Sequence, residues 1–235
     1  MDNSLEPPEI LEVGAKGVGV CLSKEMTSNL LVFIQELKEW NNRFNLTAIT
    51  LENEVLLKHL VDSLAPSPYL PHGASILDIG SGAGLPGIPL KIVRSDLRVT
   101  LLDSSRKKIH FQKHVIRTLK LCQIQTIQTR AEDAIGRNPD MRRHYDAVLS
   151  RAFSSLKFFI ELGKPFIKEN GFLIAFKGPG GTAELSRLEP WLAHKSMRIA
   201  GVEYRLPYLE HDRRLYIVRR LRNGEKSLNL GLGQK

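Results

Sequence analysis

The stretch "LDIGSGAGLPGIPL", residues 77–90, decides how this chain folds. Glycines stand at Gly80, Gly82 and Gly84, with another at Gly87, and a carboxylate, Asp78, lies two residues before the first. The run leading into them, "SILDIG" (75–80), is short and mostly apolar, the pattern of a buried strand. Glycines at such a strand's end allow a tight turn with positive φ and let a ligand lie almost against the backbone. A strand, a G-x-G loop and a helix form the nucleotide-binding element of doubly wound α/β folds, with the ligand beyond the strand's carboxyl end.

The next strand outward strengthens this reading. "RVTLLDS" (98–104) ends in Asp103, 23 residues after Gly80, where an acid accepts hydrogen bonds from ribose hydroxyls. Other roles compete: Asp103 could cap the helix that follows, Asp78 could bind amides of its own turn, and Gly84 and Gly87 could serve packing. A dinucleotide site would use G-x-G-x-x-G and bring a pyrophosphate to the helix N-terminus. Here the spacing is G-x-G-x-G, and Asp78 would sit badly beside a pyrophosphate. It suits a ligand carrying an ammonium and a sulfonium, which is S-adenosylmethionine. A dehydrogenase is the alternative.

Beyond residue 104 the chain keeps alternating. Strands are expected at 123–130, 145–151 and 171–178, and helices at 87–94, 105–120, 155–168 and 182–194, the last opened by Thr182. The helix at 105–120 should turn Ile109, Val115, Ile116 and Leu119 inward. Two strands without an intervening helix, 198–207 and 213–220, then close the sheet. The expected fold is α/β, a Rossmann-like class I S-adenosylmethionine-dependent methyltransferase with a seven-stranded, mostly parallel sheet and one antiparallel strand.

Upstream, Leu30, Phe33, Ile34, Leu37, Trp40 and Phe44 fall at helical spacing over 24–43, and Thr50 can cap a second helix through Leu64. This N-terminal helical extension gives a cap at 23–70 ahead of a catalytic domain at 71–220. Pro7, Pro8, Gly14, Gly17 and Gly19 make 1–22 read as flexible, and 221–235 as a polar tail.

The 235 residues carry a net charge of +9, which favours a polyanion partner without fixing one. No apolar run reaches the roughly 20 residues that span a bilayer. Cys21 and Cys122 have neither metal nor C-x-x-C spacing, and the N-terminus lacks a basic leader, so the cytoplasm is the expected compartment. His110 and His114 share a helix face, but no third ligand accompanies them; they read as surface histidines, with no metal.

The segment after the fourth strand reads "SRAF" (150–153) and not the [D/N]-P-P-[Y/F] that handles an exocyclic amine. No Pro-Cys nucleophile for carbon methylation is present. An intrinsically nucleophilic target such as guanine N7 fits, since it needs positioning more than proton removal. Arg151 and Lys177, at strand ends, are the preferred phosphate contacts, with "SRKK" (105–108), Arg213 and Arg214 nearby. Lys113, Arg117 and Lys120 read as a solvated helix face. His59 and Asp62 could pair on one face of their helix and reach the cofactor mouth.

These residues resemble a known family, the bacterial 16S rRNA guanine-N7 methyltransferases called RsmG or glucose-inhibited division protein B. The resemblance rests on "WNNRFNLTAI" (40–49), "HLVDSL" (59–64), the glycine loop, "LLDSSRKK" (101–108), "RAED" (130–133), "SRAF" and "FKG" (176–178). It implies that Gly80 and Leu85 contact S-adenosylmethionine and that Asp103 holds its ribose. It further implies that Ala131 and Glu132 frame the adenine, and that Arg151 lines the site near the methyl group and target base. The implied substrate is a guanine in the 530 loop of small-subunit rRNA, and the implied protein is a cytoplasmic monomer. A methyltransferase of another substrate, or a non-catalytic rRNA-binding assembly factor, are the competing readings.

Overall fold

The hydrophobic runs in the second half of the chain become seven strands of one sheet. In the computed structural model they are β1 (Ser75–Ile79), β2 (Arg98–Asp103), β3 (Ile124–Gln128), β4 (Tyr145–Ser150), β5 (Ile167–Lys177), β6 (Met197–Arg205) and β7 (Asp212–Arg220). Their spatial order is β3-β2-β1-β4-β5-β7-β6. The described residues are 6–46, 53–151, 153, 155–178, 181–206 and 212–221, with backbone alone at 53–58, 181–183 and 212. The expected Thr50 and Thr182 caps lie outside what is described.

β1 through β5 pair in parallel, and β7 inserts antiparallel between β5 and β6. The expected single antiparallel strand is therefore present. All five residues of β1 are buried, as a strand covered on both faces requires. The chain runs from β1 outward to β3, then crosses to β4 on β1's other side. The crevice beyond the carboxyl ends of β1 and β4 is thus the topological switch point, where open α/β sheets bind ligands.

Helices cover both faces: α1 (Pro7–Gly17), α2 (Lys24–Phe44), α3 (Asn53–Leu64), α4 (Gly87–Val93), α5 (Arg106–Thr118), α6 (Ala131–Arg137), α7 (Leu156–Gly163) and α8 (Gly181–His194). Three of these correct the sequence reading. Residues 7–17, expected to be flexible, are helical. Pro7 and Pro8 occupy the first turn, where a missing N–H costs nothing, and Glu6 and Glu9 form a capping box. Gly14 is a contact point, since a Cβ there would lie 2.6 Å from Val61 of α3. Next, α7 stops at Gly163, because Pro165 cannot extend a helix, and β5 begins at Ile167. Finally, α6 takes up most of the "RAED" segment, where the sequence pattern predicts no helix.

The cap is not a separate body. Leu11 of α1, Leu30, Phe33 and Leu37 of α2, and Leu60 and Leu64 of α3 share one core with Ile76, Leu90, Leu101 and Phe111 beneath them. On α5, Phe111 and Gln112 are fully buried, while Ile116 and Leu119 only fringe the core.

Candidate active site at the β1–β4 switch point

The glycine loop is held by backbone bonds to β2 and by bonds within itself. Gly80 and Ser81 donate their amides to Leu102 O, and Gly84 and Leu85 donate theirs to Ser81 O. Gly82 takes φ +57° with only Gly80 O near a hypothetical Cβ, at 3.8 Å, so the space above this backbone is open to a ligand. Gly84 and Gly87 are needed for packing: a Cβ would come within 2.4 Å of Ile88 Cδ1 and 2.3 Å of Leu101 Cδ2 respectively.

Two carboxylates brace this loop. Asp78 is wholly buried, and its Oδ2 accepts the Gly87 amide at 2.9 Å, while no described group bonds Oδ1. Burial pushes its pKa up to about 7, against the opposing pull of the Gly87 amide and Arg151. The turn-capping role is therefore filled in this structure. Asp103 accepts Gly82 N at 2.9 Å and Ser105 N at 2.8 Å. Ser105 is the N-cap residue of α5, so Asp103 is not. A carboxylate has about four lone-pair sites, so Asp103 keeps acceptor capacity for ribose hydroxyls.

Gln112 is a contributor the sequence reading missed. From α5 its Nε2 donates to Ser81 Oγ at 2.9 Å and Gly82 O at 2.8 Å, which fixes the loop from behind. A glutamine on the inward face of a basic helix was the available signal. Ala131 and Glu132 lie at the start of α6, beyond the end of β3, and Gln128 of β3 pairs with Asp103. They therefore follow the strand that lies beside Asp103, with Glu132 exposed.

Across the switch point, Arg151 follows β4 and turns towards the cap. Its Nη1 donates to His59 O at 3.1 Å and Ser63 Oγ at 2.7 Å. Its Nη2 lies 2.8 Å from His59 Nδ1 and 3.1 Å from Asp62 Oδ2. The ring of Phe176 lies under the guanidinium, 5.6 Å away. Asp62 also accepts the Tyr204 hydroxyl at 2.5 Å. Both terminal nitrogens of Arg151 are thus engaged within the protein. His59 and Asp62 meet through Arg151 and not with each other. Burial, then Arg151 and Arg213, lower the His59 pKa to about 4, so the ring is neutral near pH 7. Burial and Asp62 together push the Tyr204 phenol upward.

Several of the other basic candidates also find partners. Lys177 pairs with Glu184 at 2.8 Å, Arg214 pairs with Glu203, and Lys107 donates to Phe44 O and Asn45 O at 2.9 Å each. Lys108 stands 3.9 Å from Asp103 Oδ2. His114 is half-buried and meets Glu36 at 2.7 Å, which corrects its reading as a surface histidine; His110 is exposed. No cluster of potential metal ligands occurs among the described residues. An aromatic group missed by the sequence reading follows β4: Phe153 stacks on Phe159 and meets the exposed Phe158 edge-on.

The GidB family, described as rRNA small subunit methyltransferase G, matches residues 26–205. This chain belongs to the GidB family. Its family relatives include a Geobacter metallireducens protein, 38% identical over 92% of this chain and 97% of that protein. Another, from Thermoanaerobacter pseudethanolicus, is 39% identical over 92% of this chain and 90% of that protein. Both are named ribosomal RNA small subunit methyltransferase G. Among solved structures, an O-methyltransferase from Bacillus cereus superposes with a TM-score of 0.59 at 16% identity, covering 88% of this GidB-family chain and 97% of that one. The fold is that of the class I methyltransferases. Among the described residues, no helix is long and apolar enough to cross a membrane.

Proposed function

We propose that this protein transfers a methyl group from S-adenosylmethionine to N7 of a guanine in the 530 loop of 16S rRNA. The residues fit the cofactor: Gly82 leaves open space against the backbone, and Asp103 keeps unfilled lone pairs beside it. Gly80, Gly82, Gly84 and Leu85 would form its cradle, with Asp103 at the ribose and Ala131 and Glu132 beside the adenine. The cofactor supplies an electrophilic methyl on a sulfonium. Asp78 stiffens the loop through the Gly87 amide, and a sulfonium bound nearby would favour its charged form. Arg151 contributes by holding α3 over the crevice, and any contact it makes to cofactor runs through its backbone or Nε.

The choice of N7 is supported by one observation: the titratable groups described between β1 and β4 offer no accessible proton acceptor. His59 Nδ1 faces an arginine, Asp62 is taken by Arg151 and Tyr204, and Asp78 is buried on Gly87. None is placed to remove a proton, and guanine N7 has none to remove. Catalysis is then in-line positioning of a lone pair against the methyl carbon. The reading extends to a monomer acting on small-subunit rRNA in the cytoplasm, without a metal.

The test uses rRNA from cells lacking the protein, offered naked and as small subunits with labelled S-adenosylmethionine. Chain cleavage at N7-methylated guanine should give one site, in the 530 loop. Label recovered elsewhere, or in a base resistant to that cleavage, overturns the N7 assignment.

A further inference from the structure

We propose that His59 reads the target base, donating a hydrogen bond from its Nε2–H to the exocyclic oxygen O6 of the guanine whose N7 accepts the methyl group. The inference rests on the guanine-N7 reading above and deepens it.

The chain of reasoning starts at Arg151. A guanidinium cannot accept a hydrogen bond, so the 2.8 Å contact between Arg151 Nη2 and His59 Nδ1 makes Nδ1 the acceptor. The neutral ring therefore carries its proton on Nε2. That N–H points away from the arginine, and no described residue accepts it, although the ring is only half-buried. Ser63 and Asp62 of α3 and Tyr204 of β6 lock the Arg151 side chain that follows β4, so the donor is held at a fixed place.

That place is the rim of the switch-point crevice. Arg151 directly follows β4, whose neighbour β1 opens the glycine loop, so the His59 ring bonded to it lies at the carboxyl ends of these strands, the side on which the proposal puts the methyl acceptor. Arg151 has spent its own terminal donors on the protein and cannot read the base with them. The imidazole it orients can.

The chemistry favours a neutral donor there. A guanine's Hoogsteen edge presents two acceptors, N7 and O6. N7 must keep its lone pair for the methyl carbon, leaving O6 to be grasped. Methylation makes the base cationic, so an imidazolium beside it would oppose the reaction. Burial, Arg151 and Arg213 all keep His59 uncharged.

The experiment is a two-by-two comparison of His59 against O6. An RNA carrying the target loop is made with guanine, or with 2-aminopurine, which keeps N7 and lacks O6. Binding of each RNA by wild type and by His59→Ala is measured in the presence of S-adenosylhomocysteine, together with methyl transfer at saturating cofactor. Wild type should bind the guanine RNA roughly fivefold to tenfold more tightly than the 2-aminopurine RNA. In His59→Ala the two affinities should converge, with cofactor affinity unchanged. If the alanine variant does not fold, His59→Gln, which puts an amide N–H near the Nε2 position, should keep the preference. His59→Asn, which cannot reach it, should lose it. A preference of equal size in wild type and the variants overturns the proposal, wherever the methyl group lands. Convergence upholds the O6 contact even if the product is not N7-methylguanine, so the two readings fail separately.

Discussion

The two walls of the crevice are built by different means. The glycine-loop wall is held by bonds between residues 9, 21 and 31 apart in sequence, from Asp78 to Gly87, Gly82 to Asp103 and Ser81 to Gln112. The cap wall is held by bonds between residues 88, 92 and 142 apart, joining Ser63, His59 and Asp62 to Arg151 and Tyr204. The first wall is a nearly local structure whose residues carry their function in their spacing. The second exists only when α3, β4 and β6 have come together. A change to the cap wall should therefore cost global stability, and a change to the loop wall should cost ligand affinity first.

The largest expected effect breaks the cap wall. Arg151→Met leaves Asp62 buried with Tyr204 as its remaining described partner, and removing one member of a buried ion pair costs about 3–5 kcal/mol. Denaturant unfolding measures it. A loss below about 1 kcal/mol would mean that the cap wall is not a keystone. Next, Gly87→Ala, which touches the packing beneath the loop wall and not its open face, forces a methyl against Leu101 and Asp78, and should cost about 1–3 kcal/mol of stability.

A sharper contrast comes from Asp103→Ala. It should weaken S-adenosylmethionine binding by roughly 1.5–3 kcal/mol, read by calorimetry, with a smaller loss in folding stability. Unchanged affinity removes Asp103 from the ribose role. Tyr204→Phe, on the opposite wall, should do the reverse, costing about 1.5 kcal/mol of stability while cofactor affinity stays the same.

The smallest effect is the pH dependence of the cofactor-free wild type, because the two walls oppose each other. Asp78 is raised to about 7, so its contribution is fully present below pH 4 and is lost as pH rises through about 7. His59 is lowered to about 4, so its contribution is present above its ordinary value of 6.5 and is lost as pH falls towards 4. Between about pH 4 and 7 the slopes offset. Asp78→Asn should unmask the histidine, giving stability that rises with pH over this window, and His59→Gln should unmask the aspartate, giving the opposite slope. Melting temperatures at several pH values check both signs.

The same division explains what could be read in advance. The sheet, its one antiparallel strand and the loop were legible because strand burial, glycine spacing and the Gly80 to Asp103 interval are short-range patterns. Helix α1 was misread because its breakers sit where they do no harm: the prolines in the first turn, and Gly14 against Val61. Gln112 was missed because its role depends on where α5 packs behind the loop. Arg151 and Lys177 were expected to meet phosphates because a strand end and a charge are visible in sequence, while the partners that take up that charge are not. Glu184 is 7 residues from Lys177 but reaches it only across the fold of α8 on β5.

The sequence by itself determined the α/β alternation and a loop able to hold a nucleotide-like ligand, since both arise from local backbone demands and hydrophobic periodicity. The tertiary structure alone decided which charges remain available to a substrate. Ion pairs and hydrogen bonds between distant segments are set by how the cap, hairpin and sheet converge. That convergence uses up the arginine's terminal nitrogens, neutralises the histidine beside it and leaves the ring's other nitrogen without a partner among the described residues.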